Sequence, residues 1–113
     1  MKLTTLAWLS ATLLPTTFAD QMRIESLNRA SFATWTFNSG AKETVIPLHD
    51  GCRKNPGPRG MTDLCLYSDR GGWGYFFFEG ERDWRCLRLT SNSVNLSGLG
   101  VEIWSEVSCE SWE

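Results

Sequence analysis

The sequence has 113 residues, 42% of them hydrophobic and 21% charged, with 11 Lys and Arg against 13 Asp and Glu and a single His. That length supports one domain, and a formal charge of −2 lacks the basic excess that DNA, RNA or an anionic membrane surface would favour. Nucleic acid is therefore not an expected partner.

Residues 1–19 read as a secretory leader. Met1 and Lys2 supply a charged start, Leu6, Ala7, Trp8, Leu9, Leu13 and Leu14 an apolar centre, and Pro15 a break. Thr17-Phe18-Ala19 then leaves a small residue at the cleavage position, so cutting is expected before Asp20. The apolar stretch of about 12 residues is shorter than the roughly 20 that a membrane-spanning helix needs. Residues 20–113 are thus expected to form one secreted domain with no membrane span.

Within that domain, residues 20–29 are compatible with a short helix, although Gln21-Met22-Arg23-Ile24-Glu25 equally begins a strand. In Phe32-Ala33-Thr34-Trp35-Thr36-Phe37, Ala33, Trp35 and Phe37 fall on one face and Thr34 and Thr36 on the other, the period of a strand. Asn38-Ser39-Gly40 turns the chain. Residues 43–48 carry β-branched Thr44, Val45 and Ile46 before Pro47 marks an edge or an end. Residues 49–61 hold Gly51, Pro56, Gly57, Pro58 and Gly60 and read as a loop. Strands are predicted over residues 62–67, 73–79 and 84–89, the last two forming a hairpin, and residues 90–100 read as a long polar loop. Over residues 101–109, Val101, Ile103, Val107 and Cys109 share one face, while Glu102, Trp104, Glu106 and Ser108 share the other. That pattern predicts a strand whose valines and cysteine point inward. About six strands with Gly-containing turns predict an all-β domain, either an antiparallel sandwich or a small barrel.

Cys52, Cys65, Cys86 and Cys109 all lie in this domain. An even number of cysteines in a short exported chain favours disulfides. No two stand at zinc-ligand spacing and His49 has no histidine partner, so neither a metal nor another cofactor is expected. Two bridges permit three pairings. Cys52 with Cys65 and Cys86 with Cys109 is preferred, because the Pro/Gly-rich segment between the first two must close a loop in any case. On the chain-entropy model a loop of about 15 residues contributes about 3 kcal/mol.

The sequence is aromatic, with six Trp, two Tyr and six Phe, each able to bury about 150 to 250 Å². In Trp73-Gly74-Tyr75-Phe76-Phe77-Phe78, alternation places Trp73, Tyr75 and Phe77 on one side and Phe76 and Phe78 on the other. Both faces are apolar, so the strand is either covered twice or offers its Trp73 and Tyr75 side for binding. Trp104 is a further candidate contact, and Arg53, Lys54 and Arg59 form a cationic group inside the Cys52 to Cys65 loop, where closure and proline would lower the entropy cost of binding. Asn95-Leu96-Ser97 is a glycosylation sequon.

Catalytic constellations are sparse. His49 beside Asp50 pairs a base with an orienter, but neighbouring strand residues point to opposite faces. Glu79, Glu81 and Asp83 offer the paired carboxylates of a glycosidase, set around a hairpin turn. No Gly-x-Ser-x-Gly elbow or phosphate-cradling loop is present.

Gly51-Cys52-Arg53, Asp63-Leu64-Cys65, Trp84-Arg85-Cys86-Leu87-Arg88 and the run Ile103-Trp104-Ser105-Glu106-Val107-Ser108-Cys109-Glu110-Ser111-Trp112 together resemble the small secreted cysteine-containing proteins of filamentous fungi, many of them candidate effectors. Trp73, Phe78 and Gly80 also resemble the aromatic and glycine signature of the βγ-crystallin Greek key, without its calcium motif. The reading that follows is a secreted, monomeric, disulfide-stabilised binding protein, effector-like or toxin-like, without catalytic activity, whose partner is an extracellular protein or glycan. The alternatives are a small secreted hydrolase built on His49 and Asp50 or on Glu79, Glu81 and Asp83, and a cell-wall carbohydrate-binding module using exposed Trp73 or Trp104.

Overall fold

A computed structural model describes residues 20–112; the leader expected over residues 1–19 lies outside them. The described residues form eight strands: β1 (Gln21–Leu27), β2 (Ala30–Thr36), β3 (Lys42–Val45), β4 (Gly51–Lys54), β5 (Met61–Tyr67), β6 (Trp73–Phe78), β7 (Arg85–Val94) and β8 (Gly100–Val107), with short 3₁₀ turns at Asp69–Gly71 and Cys109–Trp112. They make one sheet in the order β3-β2-β1-β8-β7-β6-β5-β4, antiparallel at every pairing. The first and last strands therefore meet near the middle, and the two edges, β3 and β4, are consecutive in the chain.

That connectivity bends the sheet. At about 4.8 Å between neighbouring strands, a flat sheet would hold β3 and β4 about 34 Å apart. The link over residues 46–50 spans at most about 20 Å, so the sheet curls into a half-barrel. Trp35 of β2 and Phe76 of β6, four places apart in strand order, meet edge to face at 4.7 Å across the inside. The segment after β4 lies against the open side of β3: the amide of Ile46 donates to the carbonyl of Pro56 (2.7 Å) and that of Arg59 to Glu43 Oε1 (2.6 Å). Gly57 makes this approach possible. Its φ is +129°, and a Cβ there would stand 2.5 Å from the carbonyl oxygen of Thr44.

The core fills the concave side with Met22, Ile24, Ala33, Trp35, Val45, Met61, Leu64, Leu66, Phe76, Phe78, Leu87 and Trp104. One end of the half-barrel is sealed by ions. The Arg85 guanidinium donates to both oxygens of Glu106 (2.8 Å each) and reaches Glu81 (3.2 Å) and Asp20 (3.3 Å), while lying over the rings of Phe76 and Phe78 at 5.0 and 5.4 Å. Asp20 in turn accepts from Trp35 Nε1 (3.1 Å) and the amide of Asn38 (2.9 Å). The bonds to Glu106 hold the guanidinium above its already high ordinary pKa.

Three expectations change. The strands number eight where six were predicted. β1 takes the segment that was open between helix and strand, and β4 lies inside the predicted loop over residues 49–61, bridged to β5 by Cys52 and Cys65. The predicted loop over residues 90–100 is largely the outer half of a hairpin, with Asn92 opposite Glu102 and Val94 opposite Gly100. Its residues escaped recognition because β6 ends its pairing at Arg88, leaving polar residues exposed on β7. Finally, β8 presents Trp104 and Glu106 inward, and Val101, Ile103 and Val107 outward. The expected orientation is reversed because Arg85 neutralises Glu106, which lets the larger indole take the core position. Cys109 lies beyond the strand and is exposed, not inward with the valines.

Candidate functional site

Alternation on β6 separates its aromatics cleanly. Gly74, Phe76 and Phe78 are buried, whereas Trp73, Tyr75 and Phe77 stand half-buried on the convex face. Gly74 is fixed by its neighbour, since a Cβ there would lie 2.4 Å from the carbonyl oxygen of Cys65. Tyr67 of β5 and Trp84 before β7 extend the three outer rings into a strip. Tyr67 stacks on Trp73 with centroids 4.5 Å apart, Trp84 meets Tyr75 edge to face at 4.7 Å, and Phe77 lies 5.2 Å from Trp84. None of the five belongs to the core cluster, and Trp84 is 47% exposed.

Two disulfides brace this face. Cys52 pairs with Cys65 and Cys86 with Cys109, and Cys52, Cys65, Tyr75 and Cys86 stand opposite one another on four successive strands. Tyr75 is thus flanked by a bridge on each side. Beside it, an apolar cleft of about 360 Å³ opens between Tyr75, Trp84 and the Cys86–Cys109 bridge. Burial holds the Tyr75 phenol above its ordinary range, and its hydrogen bond with Tyr67 adds to the effect. At the margins Trp73 Nε1 donates to Asp69 (2.9 Å), the Arg70 guanidinium lies 6.0 Å from the Trp73 ring, and Lys54 pairs with Asp63. The Lys54 hydrogen bond keeps the Asp63 carboxyl below its usual range against the opposing effect of burial.

The ring orientations limit what the strip can contact. Tyr67, Trp73 and Tyr75 lie within 25° to 31° of parallel to one another, so Tyr67 and Trp73 turn their faces on each other. Trp84 is the most exposed of the five rings, and the cleft opens beside it.

The other candidate residues are dispersed. Arg53 and Lys54 lie on β4, with Lys54 committed to Asp63, while Arg59 lines a cavity at the opposite, ion-sealed end with Glu79, Glu81 and Arg85. They do not form the single cationic loop expected. Trp104 is 4% exposed and belongs to the core, which removes it as a surface contact. Asn95 sits at the exposed β7–β8 tip, where its side-chain oxygen accepts from the Ser97 hydroxyl (2.7 Å) and the amides of Ser97 and Leu99. Both carboxylate oxygens of Asp50 are taken by Ser68, through its amide (3.0 Å) and hydroxyl (2.9 Å), so Asp50 does not orient His49. Glu81 is bonded to Arg85, and Glu79 and Asp83 are exposed around the turn.

Alternation marked Trp73 and Tyr75, but Tyr67, Phe77 and Trp84 were not singled out as contacts. Their shared side follows only from register, in which Tyr67 faces Trp73 and Asp63 faces Phe77. Among the described residues no three His, Cys, Asp or Glu side chains converge as metal ligands, and no helix is long and apolar enough to cross a membrane. No protein-family model matches the chain, and no curated protein or solved structure was found to be similar to it.

Proposed function

We propose that the chain is a secreted binding protein without catalytic activity, effector-like or toxin-like, that grips a partner protein through the convex face of β5 and β6. The observation that carries this reading is the strip of five rings standing outside the core and braced by two disulfides. Large aromatics held on a rigid frame supply contact area at little entropic cost, and such residues dominate protein interfaces. The cleft between Tyr75, Trp84 and the Cys86–Cys109 bridge suits one apolar side chain of that partner.

A protein partner fits better than a glycan. A sugar stacks its CH surface on an open ring face, and Tyr67 and Trp73 each commit one face to the other at 4.5 Å. The hydrolase reading is weakened by the engagement of Asp50 with Ser68.

The test compares wild type with Trp84→Ala and His49→Ala by affinity capture from extracellular material, with mass spectrometry of the bound fraction and polysaccharide pull-down in parallel. The expected result is a protein retained by wild type and His49→Ala and lost by Trp84→Ala, with the unfolding temperature nearly unchanged. Retention of polysaccharide that depends on Trp73 would replace this reading with the carbohydrate-binding module. Hydrolytic activity abolished by His49→Ala would replace it with the enzyme.

A further inference from the structure

The inward face of β8 carries two glutamates, and they are treated differently. Glu106, at the sealed end, is buried and held by the Arg85 guanidinium through both oxygens. Glu102, four residues earlier and on the same face, is half-buried at the other end and has no ion-pair partner among the described residues. It accepts a hydrogen bond from Trp104 Nε1 (3.1 Å). An inward carboxylate that loses part of its hydration without gaining a cation is electrostatically unfinished.

The space in front of Glu102 is a cavity of about 660 Å³ at the open end of the half-barrel, within the size range of small-molecule sites, which often occupy barrel mouths. Leu66, Leu89 and Trp104 give it an apolar wall, and the ionisable side chains lining it are His49, Asp50 and Glu102, with no Lys or Arg. Asp50 is fixed by Ser68 through its amide and hydroxyl. Anionic ligands are thereby disfavoured. A carboxylate set beside an apolar wall favours a positive charge on an apolar body, because such a ligand satisfies both.

We infer that this end of the half-barrel is a second binding site, for a small organic cation such as a quaternary or alkyl ammonium, with Glu102 as its counter-ion and an apolar wall formed mainly by Leu66 and Leu89. The site stands on the other side of the sheet from the aromatic strip and does not depend on it.

Choline is the probe, and 3,3-dimethylbutan-1-ol is its uncharged isostere, each titrated at constant ionic strength while the Trp104 indole N–H resonance is followed by NMR. Choline should shift that resonance saturably and the alcohol should bind at least about tenfold more weakly, the scale of one partly desolvated contact between charges. Glu102→Gln keeps the size of the side chain and should weaken choline by a similar factor, and Trp84→Ala should leave it unchanged. Should Glu102→Gln lose its dispersed spectrum, Asn92→Trp, which obstructs the mouth from an exposed strand position, is to block choline instead. Equal binding of choline and the alcohol, an unmoved Trp104 resonance at saturating choline, or full affinity in folded Glu102→Gln or folded Asn92→Trp overturns the inference.

Discussion

The two faces of β6 are both aromatic, yet they do different work. Phe76 and Phe78 are buried in the concave core, with Phe76 against Trp35, while Trp73, Tyr75 and Phe77 pack mainly on rings of their own face. Hydrophobicity is alike on both sides, so composition does not separate a core ring from a contact ring. What separates them is the curl of the sheet, which brings β2 opposite β6 on the inside and leaves the outside without a covering layer.

The sharpest way to break this comparison is to truncate one ring on each side. Phe76→Ala removes a fully buried ring and should cost about 3 to 5 kcal/mol of unfolding free energy, measured by denaturant titration. Trp84→Ala, at a half-exposed site, should cost no more than about 1 kcal/mol. Equal losses would mean that the convex strip is a second core and not a contact surface.

Arg85→Ala comes next in size. It leaves Asp20 and Glu106 buried at the sealed end without their cation, and removing one partner of a buried ionic network costs about 3 kcal/mol. The same measurement on Glu102→Gln should show a change below about 1 kcal/mol, because no ion pair is broken there. That contrast sharpens the distinction between the sealed and open ends. A large loss in Glu102→Gln would make Glu102 a structural residue.

Much of the strand content could be read from alternation, because Ala33, Trp35 and Phe37 against Thr34 and Thr36 mark a one-sided apolar pattern directly. The short edge strand β4 could not, since Gly51-Cys52-Arg53-Lys54 has neither period nor β-branched residues, and its pairing depends on β5. The orientation of β8 was hidden for an electrostatic reason. Glu106 looked like a solvent residue until Arg85, distant in sequence, was placed beside it. The strip was half visible: β6 displayed two of its members as contacts, but Tyr67 and Trp84 join only through register and a turn.

The smallest expected effect concerns pH, and it falls on the convex face alone. The Tyr75 phenol is held above its ordinary value of 10.0 chiefly by burial. Above pH 10 the unfolded chain therefore releases a proton that the folded chain keeps, and stability declines as pH rises through that window. Tyr75→Phe should remove this decline and coincide with wild type at neutral pH. Asp63 gives the opposite sign. Its folded value lies below 3.8 because of Lys54, so its contribution is present above that pH and is lost as pH falls through the folded value. Lys54 is well exposed, so solvent screening keeps this contribution below about 1 kcal/mol, and Lys54→Met should flatten the acid limb of an unfolding-temperature profile without moving the alkaline one. Core rings carry no titrating group, so Phe76→Leu should shift the whole profile down with its shape intact. A change of shape in that variant would mean that concave packing sets the environment of Tyr75, and the two faces would then have to be treated as one coupled layer.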